Sequence, residues 1–597
     1  MYRSDGASRA LVILTAERRT IATGPGRSVR VTRSAKLFSQ QGLMTTLRKT
    51  IVAATAAGIV LASVAEAQQA SRKPAARASA APVQKPIVVV MPVDEAPGDS
   101  ARTIIQRDLD YGDRLTPLAL DGSLLKPNAP PDGSVNYSFF AGFKVAAIVA
   151  PRRSSTGLRV AVYDVATQAL LREADFAVPE VPALRETEIR DSVIRVWEQR
   201  DLESRAGLVR TNFLRDSLAA AAAKKPPRNR KKRAAEAAVR DSLMRQVARE
   251  DSVLRAGIDR DVAERDAALP LLVARDLAQR DSLVLAQRFA LHGIADEVQR
   301  WLTGHRGMAQ SRVAYVQNGR VFVVDSDGAN NRPATQTGTA LSPSWHPSGT
   351  RVVFTDLNDA GSQIVEANLV TGGLRELSAT PRGLNLTPVY TPDGRSVVYA
   401  HARDAGADLV IANLEEPAPA RRISSLELYD RSSPSFSPDG RRLAFISPRS
   451  WQGTRMTPQL FTMNLDGSEE KQLTPSAKGV RSYRTSPDWS PDGLRVAYMQ
   501  QNGDFQVWLI DVRTRAMKRL TTFAENEDPT WAPDSRHIAI ASNRGGTKEI
   551  WVMDVESGRM RQLTNAPGSR LPAWSPVIQP PAAAPVAVAG RGDSGGK

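Results

Sequence analysis

The chain has 597 residues, of which 42% are hydrophobic, enough for several packed domains, and a formal charge of +17. It contains no cysteine, which excludes a disulfide scaffold, a thiol nucleophile and a thiolate metal site. Residues 1–67 hold ten Lys/Arg against three Asp/Glu, and no compact basic motif with interleaved aromatic residues follows. The basic balance therefore reads as Arg-rich solvated surface and not as a nucleic-acid site.

Residues 1–43 lack sustained periodicity and read as a disordered upstream extension. From Met44, Arg48-Lys49 lead into the apolar run Ile51 to Ala62 and then Ala65-Glu66-Ala67. This is the layout of a secretory signal peptide at 44–67, with cleavage between Ala67 and Gln68. Residues 68–85 have no packing pattern and read as a flexible arm.

A small α/β domain is expected over 86–308. Its first strand is Ile87-Val88-Val89-Val90-Met91, and a helix carries Ala101, Ile104, Ile105 and Leu109 on one face. Further strands are expected around Val145–Val149 and Leu158–Tyr163. A second helix places Ile294, Val298, Trp301 and Leu302 on one side, with Gly304 as its C-terminal cap. Between them lies a helical insertion at about 183–287, in which Arg-Asp recurs and acids precede arginines by four, as at Asp201/Arg205 and Asp251/Arg255. Leu243, Val247, Leu254 and Ile258 form a narrow apolar seam. Lys224-Lys225-Pro226-Pro227 breaks the helix, so the insertion reads as a helical hairpin with a basic, solvated tip.

Over 309–576 one phrase recurs six times: Pro-any-aromatic-any-Pro, centred on Trp345, Tyr390, Phe436, Trp489, Trp531 and Trp574. The spacing falls in the ~40–50 residue range of propeller blades. Each phrase leads into a turn, such as Asp393-Gly394, Asp439-Gly440 or Asp492-Gly493, then an apolar strand, a third strand, and a fourth ending in Leu-Thr as at Leu473-Thr474, Leu520-Thr521 and Leu563-Thr564. Arg312–Val316 and Arg320–Val324 are strands with no phrase before them, whereas Leu571–Pro576 is a phrase with no strands after it. The last phrase is thus expected to complete the first blade and close a six-bladed ring. The fold class is multidomain: a small α/β domain with a helical insertion, then an all-β six-bladed propeller closed by the C-terminal strand. The tail 577–597 reads as disordered.

This organisation resembles the TolB family, the periplasmic component of the Tol-Pal system. The resemblance is most specific at His292-Gly293-Ile294-Ala295-Asp296-Glu297-Val298, Leu302-Thr303-Gly304, Gly307, Arg312–Val316 and the closing Leu571–Pro576. It implies a non-catalytic protein without cofactor or metal, periplasmic and monomeric. It also implies that the protein joins a Pal-like peptidoglycan-associated lipoprotein to the inner-membrane Tol complex and supports outer-membrane integrity and constriction. The resemblance puts the lipoprotein on the propeller face where the inner strands begin, here Ser342, Leu384, Thr387, Ser432, Ser433, Ser486, Asp528 and Leu571. It puts a TolA-like inner-membrane protein on the arm Gln68 to Lys85, which lacks the family's alternating apolar residues.

Enzyme readings fare worse. Gly592-Asp593-Ser594-Gly595-Gly596 spells a serine-nucleophile motif, but one residue follows it where an elbow needs a helix. His292, His305, His346, His401 and His537 show no metal-ligand spacing. A generic secreted propeller scaffold, or a propeller hydrolase or lyase, are the alternatives.

Overall fold

The computed structural model describes residues 84–93, 100–128, 135–182 and 186–578, apart from short loops at 226–227, 337, 359–360, 379–382, 404–405, 416–417, 424–429, 450–454 and 476–481. The signal segment with Ala67 and Gln68, nearly all of the arm, and the Gly592–Gly596 motif lie outside the described residues.

The first sheet has strands β1 (Ile87–Val90), β2 (Thr116–Pro117), β3 (Val145–Ser154), β4 (Gly157–Asp164) and β5 (Ala169–Ala177) in the order β2-β1-β3-β4-β5. β1 runs parallel to both neighbours, and β3, β4 and β5 form an antiparallel meander. Because successive side chains of β1 point to opposite faces, its continuous apolar run serves two cores. Val88 and Val90 pack with Ile105 and Leu109 of helix α1 (Ser100–Tyr111) and with Ile294 and Val298. Val89 and Met91 face Leu125 and Phe140, from the short helices α2 (Gly122–Leu125) and α3 (Tyr137–Gly142). β5 was not legible in the sequence: its side chains are mostly exposed, so burial imposes no alternation on it.

The insertion is a hairpin of α4 (Glu186–Ala223) and α5 (Arg230–Thr303). The Lys-Lys-Pro-Pro break falls between them, as the missing N–H and fixed φ of proline demand. Two helices expected in the second half are one: α5 runs 74 residues from the hairpin tip to the sheet, with Pro270 inside it, and ends at Gly304, whose φ of 75° and N–H to Arg300 O cap it. Within the hairpin, Gly207 sits so close to Leu254 that a Cβ would lie 2.9 Å from that side chain. Thr211 and Arg215 reach Asp251 at 3.3 Å each. Val247 is buried on this seam, whereas Leu243 is 42% exposed and lies off it.

Six four-stranded sheets follow among the described residues. The inner strands are β9 (Ala340–Trp345), β13 (Leu384–Tyr390), β17 (Ser432–Phe436), β21 (Tyr483–Trp489), β25 (Asn526–Trp531) and β29 (Arg570–Trp574). β29 pairs with β6 (Arg312–Gln317) in the register Arg570↔Val316, Ala573↔Ala314, Trp574↔Val313, ahead of β7 (Arg320–Asp325) and β8 (Arg332–Pro333). The C-terminal strand thus completes the first blade. Each inner strand touches its neighbours' inner strands, and the ring closes between β29 and β9.

The recurring phrase is explained residue by residue. Its aromatic ring packs on the blade before it: Trp345 joins Ala314, Val321 and Val323, Trp489 joins Ala444 and Leu460, Trp531 joins Val507 and Leu509, and Trp574 joins Ile550 and Val552. The following turn repeats too. Gly394, Gly440 and Gly493 hold φ of 73°, 69° and 76°, conformations that glycine adopts without strain. Asp393, Asp439 and Asp492 each accept the backbone N–H two residues on. The threonines at these ends have a purpose as well: the hydroxyls of Thr474, Thr521 and Thr564, and of Thr335 after Ala334 in the first blade, accept N–H groups of the third strand, beyond the reach of the very short outer strands.

Candidate partner-binding face

The two ends of the propeller axis differ. At one end, the turn face, lie the turns that leave each inner strand; the α/β domain is docked there, on the last blade and the first. The other end, the open face, is where the inner strands begin.

The docked side is a dense set of charges. Arg559 Nη2 donates to Asp110 at 2.6 Å and its Nη1 to Asp113 at 3.1 Å. Arg536 Nη2 donates to Asp113 O at 3.0 Å while holding Asp554. Arg561 lies 4.2 Å over the Tyr111 ring and donates to Ser326 O. Arg107 and Arg288 both donate to Asp327. Asp296, fully buried, accepts the N–H groups of Ala309 at 2.7 Å and Gln310 at 2.9 Å, tying α5 to the segment that enters β6; burial pushes its pKa up to about 7.

Two histidines sit inside this set. His292 Nδ1 meets Asp108 at 2.5 Å, with Asp327, Arg107, Arg288 and Asp325 around it. His537 lies between Asp534 at 2.7 Å and Asp113 at 3.3 Å. Asp108, His292 and Asp327, and likewise Asp113, His537 and Asp554, could each offer three metal ligands. Guanidinium groups already supply the positive charge at both sets, so they read as ion-pair clamps between the domains.

Burial would lower both histidine pKa values, but the adjoining carboxylates outweigh it and the net shift is upward. A histidine whose folded pKa exceeds its unfolded value stabilises the fold fully below about 6.5 and loses that contribution as pH rises through the folded value. Thermal melts should therefore show the parent losing stability as pH rises past about 6.5, and a His292→Gln, His537→Gln variant losing less over the same interval. Equal slopes in parent and variant would show that these histidines do not titrate as described.

The open end has a different chemistry. Ser342, Thr387, Ser433, Ser486, Asp528 and Leu571 occupy one register position, the residue before each phrase, and all hold φ between 48° and 51°. Each lies where the inner strand's pairing slips by a residue, a bulge repeated six times. A left-handed conformation costs a non-glycine residue about 1–2 kcal/mol. All six residues line a channel of about 430 Å³ whose walls come from every inner strand. Thr387 Oγ1 accepts the N–H of Ser433 at 3.2 Å, and Ser486 Oγ donates to Asp528 at 2.9 Å. The other two candidates lie elsewhere. Ser432 is buried and paired with Ile446, and Leu384 pairs with Ala402 at the start of β13; neither lines the channel.

Two residues further in, a second ring stitches neighbouring blades together, and sequence reasoning had passed over it. Ser435 Oγ accepts Trp489 N at 3.0 Å, Asp488 Oδ2 accepts Trp531 N at 2.7 Å, and Thr530 Oγ1 accepts Trp574 N at 3.1 Å. Burial pushes the Asp488 carboxyl up to about 6 against these donors. Asp488→Ala orphans the Trp531 N–H and should cost about 1–3 kcal/mol in urea denaturation. A loss well below that would mean that water replaces the carboxylate.

With this geometry in place, the class is a six-bladed propeller carrying an α/β domain on its turn face. Residues 299–578 match the family model of the TolB beta propeller domain. The Tol-Pal system protein TolB of Bordetella parapertussis is 29% identical over 295 residues, covering 42% of this chain and 65% of the relative. That of Bordetella pertussis is also 29% identical, covering 42% of this chain and 66% of the relative. The chain thus spans just under two thirds of the length of these curated relatives. A crystal structure of TolB from Acinetobacter baumannii shares the fold, with a TM-score of 0.56 at 18% identity, over 83% of this chain and 98% of that one. The likeness to TolB read from the sequence holds in all three comparisons. No helix among the described residues is long and apolar enough to cross a membrane.

Proposed function

We propose that this chain is a non-catalytic periplasmic component of a Tol-Pal system. In this reading the propeller binds a Pal-like peptidoglycan-associated lipoprotein through its open face, and the complex contributes to outer-membrane integrity and to constriction at division. The observation that carries the reading is the asymmetry of the propeller. The α/β domain covers part of the turn face, while the channel, with its ring of six strained residues, faces the other way. Backbone held in sparsely populated conformations is concentrated where proteins bind and switch. Four hydroxyls, one carboxylate and one leucine around the channel suit a folded polar surface or an inserted loop. Their hydroxyl–carboxylate pair, Ser486 with Asp528, has no histidine, lysine or arginine beside it among the channel-lining residues to complete a catalytic set. The arm Gln68 to Lys85 is assigned to a TolA-like inner-membrane protein on the family resemblance alone.

The test is affinity purification from detergent-solubilised membranes with the chain from Gln68 onward. Recovery of a Pal-like lipoprotein is the expected result. Recovery of none by a folded protein would move the function to a scaffold with other partners or to a propeller enzyme.

A further inference from the structure

Among the described residues, α4 is packed on one side only. Its seam against α5 repeats every seven residues through Ile194, Trp197, Ser204, Leu208, Thr211 and Leu218, all at least half-buried. At 100° per residue a second set, Leu202, Ala206, Val209 and Phe213, falls on the opposite side of the same helix. Leu202, Val209 and Phe213 are 63%, 69% and 70% exposed. Their 4-3-4 spacing is that of a coiled-coil seam, and the positions flanking it carry charges.

We propose that this stripe docks a second copy of the chain, α4 against α4, antiparallel about a two-fold axis. The charges select both the occupant and the orientation. Glu198 and Arg205 lie along one flank, Glu203 and Arg210 along the other. A parallel pair would set each first-flank residue against the partner's residue five positions on. That places Glu198 against the partner's Glu203 and Arg205 against the partner's Arg210, like charges at both places. The antiparallel pair stacks Leu202 on the partner's Phe213 and Ala206 on the partner's Val209, and sets Glu203 against the partner's Arg210. A two-fold axis makes every contact reciprocal, so each of these pairs forms twice. Among the described residues, neither Glu203 nor Arg210 makes an ion pair.

The arrangement is also sterically open. Its centre lies between Gly207 and Leu208, near the middle of a helix of 38 residues, about 57 Å long. The partner's sheet and propeller then sit beyond the hairpin tip, and the two bodies stay apart. Four layers bury less than a standard interface, so the dimer is a reversible one. Where the family resemblance led to the expectation of a monomer, this stripe gives the hairpin a reason to project.

Sedimentation velocity on the intact chain, from about 1 to 100 μM, tests the proposal. The parent should show a concentration-dependent dimer, and Phe213→Glu should weaken it by about tenfold or more. Glu203→Arg should weaken it too, by setting arginine against arginine, and the double reversal Glu203→Arg, Arg210→Glu should restore it. All the changes are on exposed side chains, and circular dichroism checks that helix content is kept. A parent that stays monomeric throughout, a dimer indifferent to Phe213→Glu, or a double reversal that fails to restore association overturns the proposal.

Discussion

Ending the chain at Gly568 should abolish cooperative unfolding of the propeller. The truncation removes β29, the strand that pairs with β6, and with it the Trp574 ring packed against Ile550 and Val552. It also removes the Trp574 N–H bonded to Thr530 and the Trp574 Nε1–H bonded to Ser311 at 2.7 Å. β6 would then present an unpaired edge next to an uncovered apolar blade face, the configuration that promotes aggregation. Trp574→Ala is the milder version: it keeps the strand and loses the ring, which should cost about 3–5 kcal/mol. Urea denaturation followed by tryptophan fluorescence and by light scattering reads both. A truncated chain that unfolds in one transition at the parent's midpoint would mean that the other sheets hold together without closure.

Ser433→Arg on the open face should weaken binding of a Pal-like lipoprotein by about 100-fold, roughly 2.7 kcal/mol, while leaving the melting temperature near the parent's. Arginine and serine bear the same left-handed backbone cost, and the Ser433 N–H bonded to Thr387 is retained. The large cation projects into the channel mouth and blocks a docking surface without touching the core. Ser432→Arg, one residue away, should behave in the opposite way. Its side chain is buried beside the strand pairing with Ile446, so a buried unpaired charge would unfold the blade before binding could be read. Isothermal titration beside thermal melts separates the two. Equal affinity of parent and Ser433→Arg would remove the channel mouth from the interface.

That contrast also shows what was legible in the sequence. The six phrases could be read because each residue in them answers a local demand: proline and glycine set backbone angles, and a large ring must fill the gap between blades. Closure by the last phrase followed from counting strands at the two ends. The side-chain direction just before each phrase could not be read. A bulge shifts the alternation there by one residue, so Ser433 and Thr387 line the channel while their near neighbours Ser432 and Leu384 do not. The interdomain clamps were illegible for another reason. Arg107 and Asp327 lie 220 positions apart and Asp113 and His537 lie 424 apart, with no local pattern to announce the pairing. The second stripe on α4 was hidden by the regular Arg-Asp repeats, which mark a solvated helix whether or not a partner covers it.

The most direct test of the open-face account is site-specific photo-crosslinking in cells. A photoreactive aromatic residue replaces Leu571 at the channel mouth in one strain and Arg513 on the turn face in another. Leu571 already carries a bulky side chain at its left-handed position, so the replacement leaves the fold intact. Capture of a Pal-like lipoprotein from position 571 and not from 513 is the predicted result. Capture from 513 and not from 571 would place the partner on the opposite side of the propeller and contradict the account.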